Sequence, residues 1–132
     1  MKPEAQRIAI AQACGWTECQ HSWHPGDVEG RKGKLWLGIA PINKGQNFEI
    51  ACWSIPDYLN DLNAMHEAEK TLREMQTMTY VDRLGEIVSQ GMGDGSYGEV
   101  WNMNHATATQ RAEAFLKTLN LWKQLTIPHN AS

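Results

Sequence analysis

Ile55-Pro56-Asp57-Tyr58-Leu59-Asn60-Asp61-Leu62-Asn63-Ala64-Met65-His66-Glu67-Ala68-Glu69 is the stretch on which the reading of this chain turns. Asp57, Asn60 and Asp61 offer side-chain oxygens to the unpaired N–H groups of a first helical turn. Tyr58, Leu62, Met65, Ala68 or Glu69, Leu72 and Met75 then recur on one helical face. The spacing predicts a helix that starts near Asp57 or Asp61 and runs to about Met75. Its single apolar stripe needs another layer to lie on.

Upstream, a first helix is expected from Pro3 to Cys14. Pro3 suits a first turn, where its missing N–H has no intrahelical partner. Gly15 supplies a left-handed stop, so that Trp16 folds back onto Ile10 or Ala11. Beyond it, His24-Pro25-Gly26-Asp27 reads as a turn, and Glu29 to Lys34 is polar and punctuated by glycine. Leu35, Leu37 and Ile39 alternate with Trp36, Gly38 and Ala40; Phe48, Ile50 and Cys52 alternate with Glu49, Ala51 and Trp53. Both read as half-buried strands, joined into an antiparallel hairpin by Pro41 to Asn47.

Downstream, Tyr80, Val81, Leu84, Ile87 and Val88 predict an amphipathic helix over Met78 to Ser89. Gly91 to Gly98 reads as a connecting loop, and Glu99 to Met103 as a further strand. Thr107 and Gln110 match the capping-box spacing of a last helix. Ala112, Phe115, Leu116, Leu119 and Trp122 form its buried stripe, and Glu113 with Lys117 an outer i,i+4 pair. Ile127 to Ser132 reads as a frayed tail. The fold class expected is α+β, one domain over residues 1–132, with a small, mostly antiparallel sheet covered by helices.

The Ile55–Glu69 run resembles the phage ABA-sandwich domain, a family of small proteins encoded by phages and prophages. Ala106-Thr107-Ala108-Thr109-Gln110-Arg111-Ala112-Glu113-Ala114-Phe115-Leu116 resembles that family's C-terminal helix, and Ile8-Ala9-Ile10-Ala11-Gln12-Ala13-Cys14-Gly15-Trp16 its N-terminal one. The resemblance implies an α/β/α sandwich and a phage or prophage origin. The stretch from Thr17 to Phe48 departs from the family's pattern.

Composition narrows the function classes. A chain of 132 residues with 42% apolar and 20% charged residues has the make-up of a soluble domain large enough for its own core. A net charge of -3 argues against coating nucleic acid, which rests on neutralising phosphates with Lys and Arg. Three cysteines cannot complete a disulfide framework, and neither a signal peptide nor the roughly 20 apolar residues of a membrane span is visible, so a cytoplasmic protein is expected. Six tryptophans against two phenylalanines leave an aromatic excess that an interface or a flat ligand would use.

Chemistry-bearing clusters are sparse. Cys14, Cys19, His21 and His24 lie close in sequence, but they lack the second ligand knuckle of a structural zinc site, and no metal or cofactor is expected. His66 lies at the margin of an apolar face and would need an orienting partner to act as a base; Asn63, Glu69 and Lys70 are nearest in angle. A histidine bonded to neighbouring backbone is the plainer reading, for His66 and for His105 alike. No nucleophile motif occurs, and Gly91 to Gly98 lacks the Lys-Ser/Thr ending of a phosphate loop. Arg111 in a first helical turn opposes the helix dipole and so wants a partner: an anionic ligand, or Asp57, Asp61 or Glu113.

These residues lead to a non-enzymatic binding protein that sequesters a small anionic ligand in counter-defence, such as a cyclic oligonucleotide or a cyclic ADP-ribose derivative. Arg111 would anchor phosphate beside Tyr58 or Trp101, with His105, Trp53 and His66 completing the candidate set. The alternative is a domain that contacts only protein, a host defence protein among the candidates. A homo-oligomer is expected in addition, with Trp36 or Trp53 at the contact.

Overall fold

The computed structural model describes residues 1–25, 32–89 and 102–123. Helix α1 spans Pro3–Ala13, with Pro3 in the first turn and Glu4 at the positive end of the dipole. It closes as the sequence implies. Gly15 takes φ +99°, and Trp16 and Gly15 donate their N–H groups to the carbonyls of Ala11 and Gln12, each at 3.0 Å.

Strand β1 follows at Thr17–Pro25 and pairs antiparallel with β2 at Lys32–Ile39, the register running from Thr17 opposite Ile39 to Pro25 opposite Lys32. The ladder is irregular between Thr17 and Gln20, where Glu18 adopts φ 51°. A short β3, Trp53–Ser54, pairs with the other edge of β2, giving the sheet order β1-β2-β3. The fold is therefore α+β with an antiparallel sheet, as expected.

The expected hairpin partner is corrected. Phe48–Ala51 forms a short helix, α2, because the Asn47 side chain accepts the Glu49 N–H at 2.9 Å and turns the chain over. Ile50, which alternation would bury, is left 75% exposed. The main partner of β2 is β1, whose outer end was read as a turn at His24 and Pro25. Gly26, Asp27 and Arg31 lie outside the described residues.

The long helix expected over Asp57–Met75 is divided. Asp57 to Asn60 make a turn, and Asp61 caps α3, Leu62–Glu69, by accepting the Asn63 and Ala64 N–H groups. The chain then leaves the helix and re-enters at Arg73 into α4, Glu74–Val88. The break rotates the stripe out of register: Met65 and Ala68 are buried, whereas Leu62 and Met75 are exposed. Helix α4 begins four residues earlier than Met78, and buries Tyr80, Leu84 and Val88. Asn102 and Met103 are helical and not part of a strand, while Glu99 to Trp101, the Gly91–Gly98 loop and the Ile127–Ser132 tail lie outside the described residues.

The last helix, α5, spans Ala108–Thr118 and carries the full capping box of Thr107 and Gln110. The Glu113–Lys117 pair forms at 2.7 Å. Ala112, Phe115 and Leu116 are wholly buried, and α5 packs on α1, α3 and α4. Leu119 and Trp122 are only partly buried, because Asn120 at φ 60° already ends the helix. The core therefore lies among the helices, and the sheet joins it through Trp16, Cys19 and Trp36.

The join between sheet and helix is tight at Gly38. A Cβ there would stand 3.2 Å from Trp16 Cε3 and 3.3 Å from both Cys19 Sγ and the Thr17 carbonyl. Gly38→Val is expected to cost about 1–3 kcal/mol, as overpacking does, read as a lower urea midpoint at unchanged slope.

Candidate ligand-binding site

The structure distributes the candidate residues over separate places. Arg111 points inward from the first turn of α5 and is 13% exposed. Its guanidinium donates to Glu69 Oε2 at 3.0 Å and to the carbonyls of Ala106 and Met103, each at 3.2 Å. The partner is thus Glu69, not Asp57, Asp61 or Glu113, because the end of α3 is brought against the start of α5. The same carboxylate accepts the Tyr80 hydroxyl from α4, and its other oxygen lies 2.9 Å from His66 Nδ1. Arg111 holds protein groups where an anion was expected.

The electrostatics agree with that internal role. Burial alone would raise the Glu69 pKa, but hydrogen bonds from Tyr80, His66 and Arg111 outweigh it and hold the carboxyl below its ordinary value. Burial, then the Glu69 carboxylate, pushes the Tyr80 phenol up, which keeps it a donor. Of the other candidates, Tyr58 is 3% exposed and lies in a hollow with Cys14, Trp16 and Thr71. Trp53 sits on β3, His105 is exposed in the turn before α5, and Trp101 lies outside the described residues. His66 and Arg111 share a carboxylate.

A cleft that the sequence did not reveal lies at the first turns of α1. Pro3, Glu4, Gln6 and Arg7 form one wall, Trp36 of β2 another, and Asp57, Leu59, Asn60 and Thr109 the third. Its volume is about 370 Å³, within the range of small-molecule sites. The walls are held from behind. Arg7 donates from Nε to the Pro56 carbonyl at 3.0 Å and from a terminal nitrogen to that of Ile55. The Ile55 N–H returns to the Trp36 carbonyl at 2.9 Å, and Thr109 Oγ1 donates to the Leu59 carbonyl at 3.0 Å. His21 stacks on Trp36 with ring centroids 4.2 Å apart and fixes the indole.

Gln6 is the residue that sequence reading passed over. A glutamine on a short helix looks like surface, yet this one is 6% exposed. Its Nε2 donates to the Met1 carbonyl at 3.0 Å, and its Oε1 is a buried acceptor with no partner among the described residues. Native interiors leave few such groups.

Burial pushes the Cys14 thiol up, away from a reactive thiolate, against a smaller opposing effect of Thr71 and Tyr58. Among the described residues no group of three or more His, Cys, Asp or Glu is placed to hold a metal, and no helix is long and apolar enough to cross a membrane. Compared with protein-family models, curated proteins and solved structures, the chain matches none.

Two measurements test the Glu69 cluster. Glu69→Gln leaves the Arg111 charge unmatched and is expected to cost about 3 kcal/mol, as removal of one partner of a largely buried pair does, read by chemical denaturation at neutral pH. Because the folded Glu69 pKa lies below the unfolded one, the unfolded chain binds the proton more readily. The carboxylate's contribution is then complete above the ordinary value of 4.5 and lost as pH falls through the folded value. The melting temperature of the native chain should therefore fall more steeply on acidification below about pH 4.5 than that of Glu69→Gln.

Proposed function

We propose that this protein is a non-enzymatic binder that sequesters a small nucleotide-type ligand, with the α1 cleft as its site. The observation that carries the reading is the fixed indole of Trp36 beside a cleft of about 370 Å³. A flat ring gains from a tryptophan wall, and a wall already locked by Arg7 and His21 loses little freedom on binding. Phage origin and counter-defence come from the family resemblance of the Ile55–Glu69 run. A stoichiometric trap of this size needs a formed cleft and no catalytic group.

The cleft relocates the ligand from the set around Arg111. Tyr58 and Arg111 serve the core in this reading, and among the described candidates Trp53, His66 and His105 are not in the cleft lining. An anionic ligand would keep its charge away from Glu4 and Asp57, which line the cleft.

A second reading, contact with protein, has its own observation. Met75, Met78 and Val81 recur at helical spacing on α4 and are 75%, 63% and 45% exposed. An apolar stripe of this kind fits association, including self-association. Light scattering should then give a mass above 14.9 kDa at tens of micromolar.

Thermal-shift screening against mononucleotides, cyclic dinucleotides and ADP-ribose derivatives tests the first reading. A ligand at 100 times its Kd stabilises the native state by about 2.7 kcal/mol. Trp36→Ala should weaken the hit roughly tenfold or more, because base–aromatic stacking contributes about 1–3 kcal/mol. A panel without a single shift would remove the proposal and leave the protein-contact reading.

A further inference from the structure

We infer that the exposed face of α4 is the docking surface for a basic amphipathic helix of a partner protein; this rests on the protein-contact reading above. Tyr80, Leu84 and Val88 bury the opposite side of α4. At about 3.6 residues per turn, Met75, Met78 and Val81 then stand together on the side turned from the core, 75%, 63% and 45% exposed. Gly85, one turn beyond Val81, is buried, which sets the end of the face.

The charge on this face narrows its occupant. Asp82 falls in angle between Met75 and Met78, and Glu74 between Met78 and Val81, so each acid is set into the apolar stripe. Both are exposed, and neither makes an ion pair among the described residues. Arg83 is turned to Glu86 at 2.9 Å and leaves them unmatched. Glu74 also suits the helix dipole in the first turn, but Asp82 lies too far along α4 for that. Mid-helix, where aspartate is a poor helix former, Asp82 has a use for a cation that its neighbours do not supply.

An occupant must therefore present apolar side chains with Lys or Arg set among them. A helix that repeats both at i, i+3, i+4 spacing meets the two requirements along one line. Methionine suits this task, since its unbranched thioether adapts to differing apolar side chains. Two copies of an acidic face repel one another, so self-association is the weaker occupancy of α4 and a basic helix displaces it. An anionic membrane surface is repelled for the same reason.

The test uses the full chain and a synthetic amphipathic helix of Leu and Lys, about four turns long, with a twin in which Glu replaces every Lys. In fluorescence anisotropy at low salt the Lys helix should bind at least about tenfold tighter than the Glu helix, and the preference should shrink as salt rises. Met78→Ser, which keeps the charge, should weaken the Lys helix about tenfold. Glu74→Lys combined with Asp82→Lys should reverse the preference toward the Glu helix. Glu49→Gln, at an exposed acid on α2, should leave it unchanged.

Equal affinity for the two helices, or a preference that survives the double Lys variant, would overturn the inference while leaving α4 as an apolar contact. Binding that Met78→Ser does not weaken would place the Lys helix elsewhere and overturn it too. If neither helix binds, the inference falls, and light scattering then decides the parent reading: a mass above 14.9 kDa keeps protein contact, and a mass of 14.9 kDa removes it. Glu74, Met78 and Asp82 are exposed, so melting temperatures should hardly move. Should the double variant not fold, Met78→Ser and the two helices on the native chain still decide.

Discussion

The carboxylate of Glu69 holds the helical half of this molecule in register. It stands at the end of α3 and receives the Tyr80 hydroxyl from α4 and the Arg111 guanidinium from α5. Arg111 then carries the tie onward to the Met103 and Ala106 carbonyls, which fixes the approach to α5. An apolar interface alone lets helices slide by a fraction of a turn. A charged, directional contact at their meeting point removes that freedom, at the cost of taking two charges partly out of water. Leu84, Phe115 and Leu116 pack in the arrangement so defined.

Arg7 makes a second tie, to the Pro56 and Ile55 carbonyls. It fastens α1 to the segment leaving β3, and this segment in turn is bonded to β2 through Ile55. The cleft lies beside this fastening, with Arg7 in its wall. Its walls come from α1, β2, the Asp57–Asn60 turn and α5, so no single element could form it. A site distributed in this way is absent until the tertiary fold exists.

That explains which parts were legible in the sequence. Helix ends were, because caps are local: the Thr107–Gln110 box and the Gly15 closure follow from residues a few positions apart. The break between α3 and α4 was not, because Leu72 and Met75 continue the apolar spacing past the point where the chain turns. Strand β1 was hidden for the opposite reason, since Thr17-Glu18-Cys19-Gln20-His21 carries too little apolar alternation to announce a strand. Arg111 did show that it needed a partner, as any cation in a first helical turn does. Which carboxylate answered depended on a contact 42 residues away in sequence. Gln6 gave no signal at all, because its burial comes from what folds over it.

The place of Trp36 has a consequence for local stability. Strands β1 and β2 pair mainly with each other, and β3 contributes only Trp53 and Ser54 to their far edge. Local opening of these strands, were it to occur, would be one of the sub-global openings that folded proteins undergo below the global unfolding free energy. Trp36 belongs to the hairpin, yet it also walls the cleft. Opening the hairpin dismantles the site, so anything seated against the indole must hold the strands closed. Occupancy would then be visible as slowed amide exchange along β1, none of whose described side chains is in the cleft lining.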